Sequence, residues 1–226
     1  MNELVRLSTQ DVSRAIPVTD SFIVSEKFGV SHKAVTNIIR KYKNDFEIFG
    51  KLEHFKNAYE TKKETMTFIL NEEQFYLLVT YMKNTDIARK YKMEFVKMFS
   101  FMKKELQARQ NTRHIGVSVR KELSEVIKNC VTDEGKFKSF AYSNYTRLIY
   151  KKIFGKDTKK IKEELGLTKN DNLRDYLTIE QLKLVQDLES KIASYIEFTD
   201  STNKTDKETY EDIKNIVGSN IKQFID

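Results

Sequence analysis

The chain reads as mainly α (α+β): a winged-helix-like N-terminal domain with a small β-hairpin, followed by an all-α C-terminal domain. Three observations predict this. Glycine and proline are scarce, seven and one in 226 residues, which favours helices joined by short turns over a sheet protein. Apolar residues recur at gaps of three and four over most of the chain, the period of helices with one buried face. Period-two alternation is confined to the first third.

Taken in order, Leu4-Val5-Arg6-Leu7 is short and partly alternating and predicts a strand. Ile16-Pro17-Val18-Thr19 leads into Asp20 and Ser21, good N-cap residues just after the only proline. Helical patterning then runs to about Lys43. Phe55–Tyr59 and Thr65–Leu70 flank the polar run Glu60–Glu64, and Met66, Phe68 and Leu70 alternate with Thr67 and Ile69. That is the pattern of a hairpin with one buried face. Asn71-Glu72-Glu73 caps a helix carrying Phe75, Leu78, Val79 and Met82, and Asn84-Thr85-Asp86 starts another. The second carries Ile87, Tyr91, Phe95, Met98, Phe99, Met102 and Leu106, a stripe belonging either to a core or to a dimer seam. Tyr91, Phe95, Met98, Phe99 and Met102 are the candidate seam residues.

The polar run Arg109–Gly116 loses the helical period and predicts a linker. The predicted organisation is therefore a domain over 1–108, a linker over 109–116 and a helical interaction or oligomerisation domain over 117–226. Within the last, helices are expected over about Ser118–Asn129, Ser139–Phe154 (ending at Gly155) and Thr158–Leu165 (stopped by Gly166). Thr178 caps a longer one with Ile179, Leu182, Val185, Leu188, Ile192 and Ile196 inward. Thr199–Thr205 reads as a polar connection, and Lys207–Phe224 as a final amphipathic helix.

Composition narrows the function. The 39% of hydrophobic residues is enough to pack one large domain or two small ones. With one cysteine, Cys130, neither a disulfide framework nor a thiol-based metal site is expected. The start Met1-Asn2-Glu3-Leu4 does not read as a signal peptide, and no stretch has membrane-spanning length. A place in the cytoplasm, with no membrane partner, is the expectation. Catalysis is not expected: His32, His54 and His114 lack metal-ligand spacing, the glycines never cluster into a phosphate loop, and no nucleophile and base match by spacing. No catalytic residue, metal or cofactor is assigned.

The net charge of +7 suits a polyanionic partner, and its distribution is more telling. Five basic residues and no acid lie between Lys27 and Lys43, and nine stand against the single Asp157 between Lys136 and Lys162. The first of these patches coincides with a helix-turn-helix pattern over residues 20–43. Counting from Ser21, Ser25 is the small contact residue and Gly29 falls at the turn. Val24 and Phe28 lie inside before the turn, Val30 inside it, and Val35 and Ile38 inside after it. The outward face of the second helix then holds Ser31, His32, Lys33, Thr36, Asn37, Arg40, Lys41 and Lys43, side-chain types that read base edges or clasp phosphates. An ordinary helical hairpin with a solvated basic face fits the same spacing, but the missing acids favour double-stranded DNA. The following hairpin would make a wing with Lys62 and Lys63 at its tip, against the phosphate backbone or simply exposed. Lys151, Lys152, Lys156, Lys159 and Lys160 cluster around a later helix end, where they could hold phosphate or merely complement the helix dipole.

The segments Pro17-Val18-Thr19-Asp20-Ser21, Phe28-Gly29, His32-Lys33-Ala34-Val35 and Met66-Thr67-Phe68-Ile69-Leu70 resemble the Rha family of phage regulatory proteins. The resemblance continues through Phe75, Asn84-Thr85, Ala88-Arg89-Lys90-Tyr91-Lys92, Phe99 and Met102, and so covers about Leu4–Leu106. The family's aspartate-glycine before the phenylalanine is here Glu73-Gln74, and its threonine-glycine turn is Asn84-Thr85. The resemblance implies a prophage-borne regulator with a winged-helix-like domain. More loosely, Tyr145–Lys156, Leu165-Gly166 and Asn172–Leu177 are similar to C-terminal modules of phage antirepressor-type proteins, which implies protein contacts or oligomerisation. The expected function is a phage- or prophage-encoded transcriptional regulator that binds DNA as a homodimer. The alternative is an antirepressor acting on a phage or host repressor protein.

Overall fold

The computed structural model describes residues 4–57, 65–132, 136–202 and 204–219, in two compact units, 1–107 and 108–226. The molecule is mainly α with one small antiparallel sheet near the N-terminus, as the sequence predicts.

In the first unit, β1 (Arg6–Leu7) pairs with β2 (Pro17–Asp20). The chain then forms α1 (Ser21–Phe28), α2 (His32–Lys41) and the short α3 (Lys43–Glu47) before the hairpin strands β3 (His54–Asn57) and β4 (Thr65–Asn71). Sheet order is β1-β2-β4-β3. Registers Thr19↔Leu70 and Phe55↔Thr67 place β4 between β2 and β3. The strand before the helix pair is thus clamped to the second strand of the hairpin, the arrangement of a winged helix. Asn71 caps α4 (Glu72–Tyr81), and α5 (Asp86–Cys130) follows.

The substitution at Gln74 has a visible use. Its side chain closes a capping box with Asn71, and its amide donates to the carbonyls of Phe46 (3.2 Å) and Gly50 (2.9 Å). Two chain reversals are thereby tied to the start of α4.

The core of this unit joins Val24 and Phe28 of α1, Val35 and Ile39 of α2, Phe46, Leu70, Phe75 and Leu78 to Phe95 and Phe99 of α5. Phe75 and Phe95 stack at 4.5 Å between ring centroids, with Phe28 and Phe99 closing the aromatic cluster. This corrects the seam expectation. Phe95 and Phe99 are fully buried in their own unit, and Tyr91, Met98 and Met102 are half-buried against the same cluster. The centre of the stripe, Phe95 and Phe99, is used within the unit as a cover for the aromatic side chains of α1 and α4, while Ile87 stays 56% exposed.

The predicted linker is also corrected. Residues 109–116 lie inside α5, which runs for 45 residues, and the division between the two units falls within that helix. Nothing in Arg109–Gly116 forbids a helix, since the run has no proline and one glycine. Loss of the apolar stripe marked a change of surroundings and not a break. Gly116 is buried where a Cβ would come 2.7 Å from Gln186 Nε2, and that amide donates to Thr112 O at 2.8 Å.

In the second unit, α6 (Lys136–Phe154), α7 (Thr158–Glu164), a 3-10 turn (Leu173–Tyr176), α8 (Ile179–Asp200) and α9 (Asp206–Ser219) follow. Gly155 and Gly166 take left-handed φ of 68° and 67° where the helices stop. Thr178 forms a capping box with Gln181 at the start of α8. The core gathers Leu123 and Ile127 of α5, Tyr145 and Ile149 of α6, Leu182, Val185, Ile192 and Ile196 of α8, and Ile213 of α9. Arg174 and Glu189 form a buried bidentate ion pair at 3.0 and 2.5 Å. Beside it, Arg113 donates to Asp175 at 2.8 Å.

Candidate nucleic-acid interface

The helix pair α1–α2 is closed by local chemistry. Asp20 caps α1, accepting from the amides of Phe22 (3.0 Å) and Ile23 (2.9 Å). At the other end Gly29 takes φ +64°, its N–H donates to Glu26 O, and Val30 N–H donates to Ser25 O. These two bonds make a Schellman stop that needs the left-handed residue. Ser25 is buried where the helices approach, and its hydroxyl donates to Phe22 O at 2.7 Å. Ser31 then caps α2 by accepting from Ala34 N at 3.2 Å.

Burial sorts the predicted contact residues. Ser31, Lys33, Asn37, Arg40 and Lys41 are exposed on α2, together with Ala34, and Lys43 is exposed just beyond it. Spacings of three, four and seven put Lys33, Asn37, Arg40 and Lys41 on one side of the helix. Thr36 is a correction: it is only 4% exposed, and its hydroxyl donates to Lys33 O at 3.2 Å. It lies one step round the helix from Asn37, on the side that packs inward beside Val35. One further correction concerns the apolar positions. Val30 is 40% exposed because the Schellman stop turns it outward, whereas Ile38 packs half-buried against the core beside the fully buried Ile39.

His32 is half-buried, with Nε2 2.9 Å from Ser21 Oγ and its ring edge-on to Phe22. Burial holds its pKa below the ordinary histidine value, with Arg40 acting the same way and Asp20 opposing. Its position suits bracing the turn between α1 and α2. Arg40 leans towards the hairpin, its guanidinium 6.0 Å over the Phe68 ring and 3.9 Å from Met66 Sδ. Lys41 lies over the Tyr42 ring at 4.9 Å, and Lys43 pairs with Glu47 at 3.4 Å. Lys33 and Asn37 extend from the same face, with no ion pair to Lys33 among the described residues. The wing-tip pair Lys62 and Lys63 lies outside the described residues.

In the second unit the lysine cluster is less uniform than its sequence. Lys156 is paired with Glu164 at 2.7 Å and Lys159 with Glu163 at 3.9 Å, each partner one or two turns away. Lys151 and Lys160 are exposed and Lys152 is half-buried. The acids that follow the basic run along α7 neutralise part of it. Among the described residues there is no group of histidine, cysteine and carboxylate side chains placed to hold a metal ion. No helix of the described residues is long and apolar enough to cross a membrane.

Two surface depressions of the first unit were not foreseen from sequence. One, of about 370 Å³, lies against the sheet and is lined by Arg6, Arg14, Lys51, Glu53, Asn71 and Gln74 among others. The other, of about 350 Å³, is apolar and lies between α2, the end of α4 and the start of α5. Its lining comes from α1, α2, α4 and α5 and the turns between them, so no sequence window displays it.

No curated protein matches the chain. Residues 19–104 match the family model described as phage regulatory protein Rha, a stretch that contains the end of β2, the helix pair, β3 and β4, α4 and the first turns of α5. The match ends at residue 104, so the likeness of Tyr145–Leu177 to antirepressor modules rests on those residues alone. The likeness to phage regulatory protein Rha is thus confined to residues 19–104.

Proposed function

We propose that this protein is a phage- or prophage-encoded transcriptional regulator that binds double-stranded DNA through α2. One observation carries the reading. The exposed face of α2 presents Lys33, Asn37, Arg40 and Lys41 together, with no acid between Lys27 and Lys43 to repel a phosphate backbone. In this reading Asn37 and Lys33 face the base edges, Lys41 and Lys43 face phosphates, and the hairpin docks as a wing over the adjacent backbone. Arg40 serves first to hold α2 against the hairpin. The regulator binds DNA and does not catalyse, and it works in the bacterial cytoplasm where phage DNA is exposed. A homodimer on two half-sites belongs to the reading, with its contact elsewhere than on the Tyr91–Met102 stripe.

The test is binding of the full chain to fragments of its phage or prophage genome, followed by substitution on the best fragment. Lys33→Ala and Asn37→Ala should each weaken binding by about 1–3 kcal/mol if they read bases, with the Asn37 effect confined to the cognate sequence. Affinity should fall steeply as salt rises, because bound phosphates release counterions. An antirepressor that grips a repressor protein would show neither behaviour, so unchanged affinity in both variants would overturn the DNA reading.

A further inference from the structure

The apolar depression beside α2 is a groove with a defined chemistry. Phe28, Val35 and Ala88 form its floor, and Val30, Ala34, Ile38, Tyr81 and Met82 its walls. It is open to solvent, although soluble proteins ordinarily turn clustered apolar surface inward. Its volume of about 350 Å³ suits one or two apolar side chains of a peptide better than a large ligand.

The charge around it has one sign to spare. Lys83 lies in the wall, and Lys33 and Lys41 flank Ala34 and Ile38 on α2, all three exposed. Of the nearby acids, Glu26 is paired with Lys27 at 2.8 Å and Asp86 with Arg89 at 3.3 Å, while Asp45 accepts from the Tyr81 hydroxyl at 2.8 Å and keeps its charge, which leaves the lysines in excess. An apolar slot whose rim carries lysines in excess complements a segment with apolar anchors flanked by carboxylates.

We propose that this groove is a docking site for an acidic amphipathic segment of a partner protein, and that its occupation displaces DNA. Ala34 and Ile38 belong to the groove, while Lys33, Asn37 and Lys41 belong to the DNA-facing side of the same short helix. A helical peptide seated over Ala34 and Ile38 covers Lys41 and puts carboxylates where phosphates would lie. Docking stands on the groove itself; the competition rests on α2 being the DNA-facing helix.

The experiment is selection of a random-peptide display library on the full-length chain, then synthesis of the enriched peptide for anisotropy measurements. The expected result is a consensus of apolar residues at helical spacing with flanking Asp or Glu. The synthesised peptide should bind roughly tenfold more weakly to Lys83→Glu and to Val30→Asp, both surface changes. It should bind Asn37→Ala as it binds the parent and should release DNA from the parent chain. A consensus without acids, or one indifferent to both groove variants, overturns the docking site. If the groove variants instead change the chain's own oligomeric state while the peptide does not, the occupant is a second copy and the proposal fails. Binding at the groove with no release of DNA overturns the competition alone. If the chain binds no DNA at all, the DNA reading has failed, and the groove is judged on the peptide and its two variants.

Discussion

Ser21 and His32 meet at 2.9 Å between Oγ and Nε2, so the first residue of α1 is tied to the first residue of α2. The same Oγ accepts the amide of Phe68 at 3.0 Å, which brings β4 into the link. The hydroxyl thereby bonds both the imidazole of His32 and the Phe68 amide. Three elements, α1, α2 and β4, are therefore joined through one hydroxyl.

A pH dependence follows from this link. Protonating His32 would place charge in a half-buried position and near Arg40, with only Asp20 opposing. Burial and Arg40 disfavour the cation, in line with a pKa held below the ordinary value of 6.5. The unfolded chain then takes up the proton at higher pH than the folded one. Stability of the first unit should fall as pH drops through and below 6.5, with the loss complete once pH passes the folded value. Urea unfolding of the parent and of His32→Gln across this range checks it. A difference between the two that does not change with pH would refute the assignment.

Gly29 supplies the second prediction. A Cβ added there meets nothing within 4 Å, so any cost must come from the backbone alone at φ +64°. Gly29→Ala should lose about 1–2 kcal/mol of stability, the penalty of a left-handed conformation for an ordinary residue. Gly29→Asn should lose less, because asparagine tolerates that region. Denaturation midpoints of the two variants decide it, and equal losses would point to a steric cause.

Much of the first unit was legible because its cues are local. The cap at Asp20, the glycine at 29, the alternation Met66–Leu70 and the cap at Asn71 each act within a few residues. Thr36 was misplaced because facing inward beside Val35 depends on how α2 rotates against the sheet, which helical spacing alone does not fix. Val30 was misplaced because the Schellman turn reverses its direction. The stripe on α5 was legible as a stripe, but whether it met another copy or Phe28 and Phe75 depended on packing between distant segments. Arg109–Gly116 looked like a linker because polarity resembles a loop once the apolar period fades. The groove beside α2 was invisible for the same reason of distance, since its walls come from Val30, Ile38 and Met82.

The buried pair Arg174–Glu189 gives the third prediction. Both side chains are almost entirely out of solvent, so each charge depends on the other. Glu189→Gln should destabilise the second unit by about 3–5 kcal/mol, because it strands the guanidinium. Replacing both, with Arg174→Met and Glu189→Leu, should cost far less than the sum of the single changes. Urea unfolding of the three variants makes the comparison, and simple additivity would show that the pair is not coupled.

The last prediction separates the two roles the α5 stripe could have had. Phe95 stacks on Phe75 inside one unit, so Phe95→Ala leaves a cavity and should lose about 3–5 kcal/mol. Met93, on the same helix but 57% exposed, should change stability by no more than about 0.5 kcal/mol when replaced by alanine. A core residue acts within the monomer, so the melting shift of Phe95→Ala should be the same at every protein concentration. A seam residue would behave differently, since a dimer is stabilised by mass action and its melting point rises with concentration. Thermal melts of both variants over a wide concentration range, with mass measured by light scattering, distinguish the two. A Phe95→Ala protein that becomes monomeric from a dimeric parent while its dilute melting point stays unchanged would restore the seam.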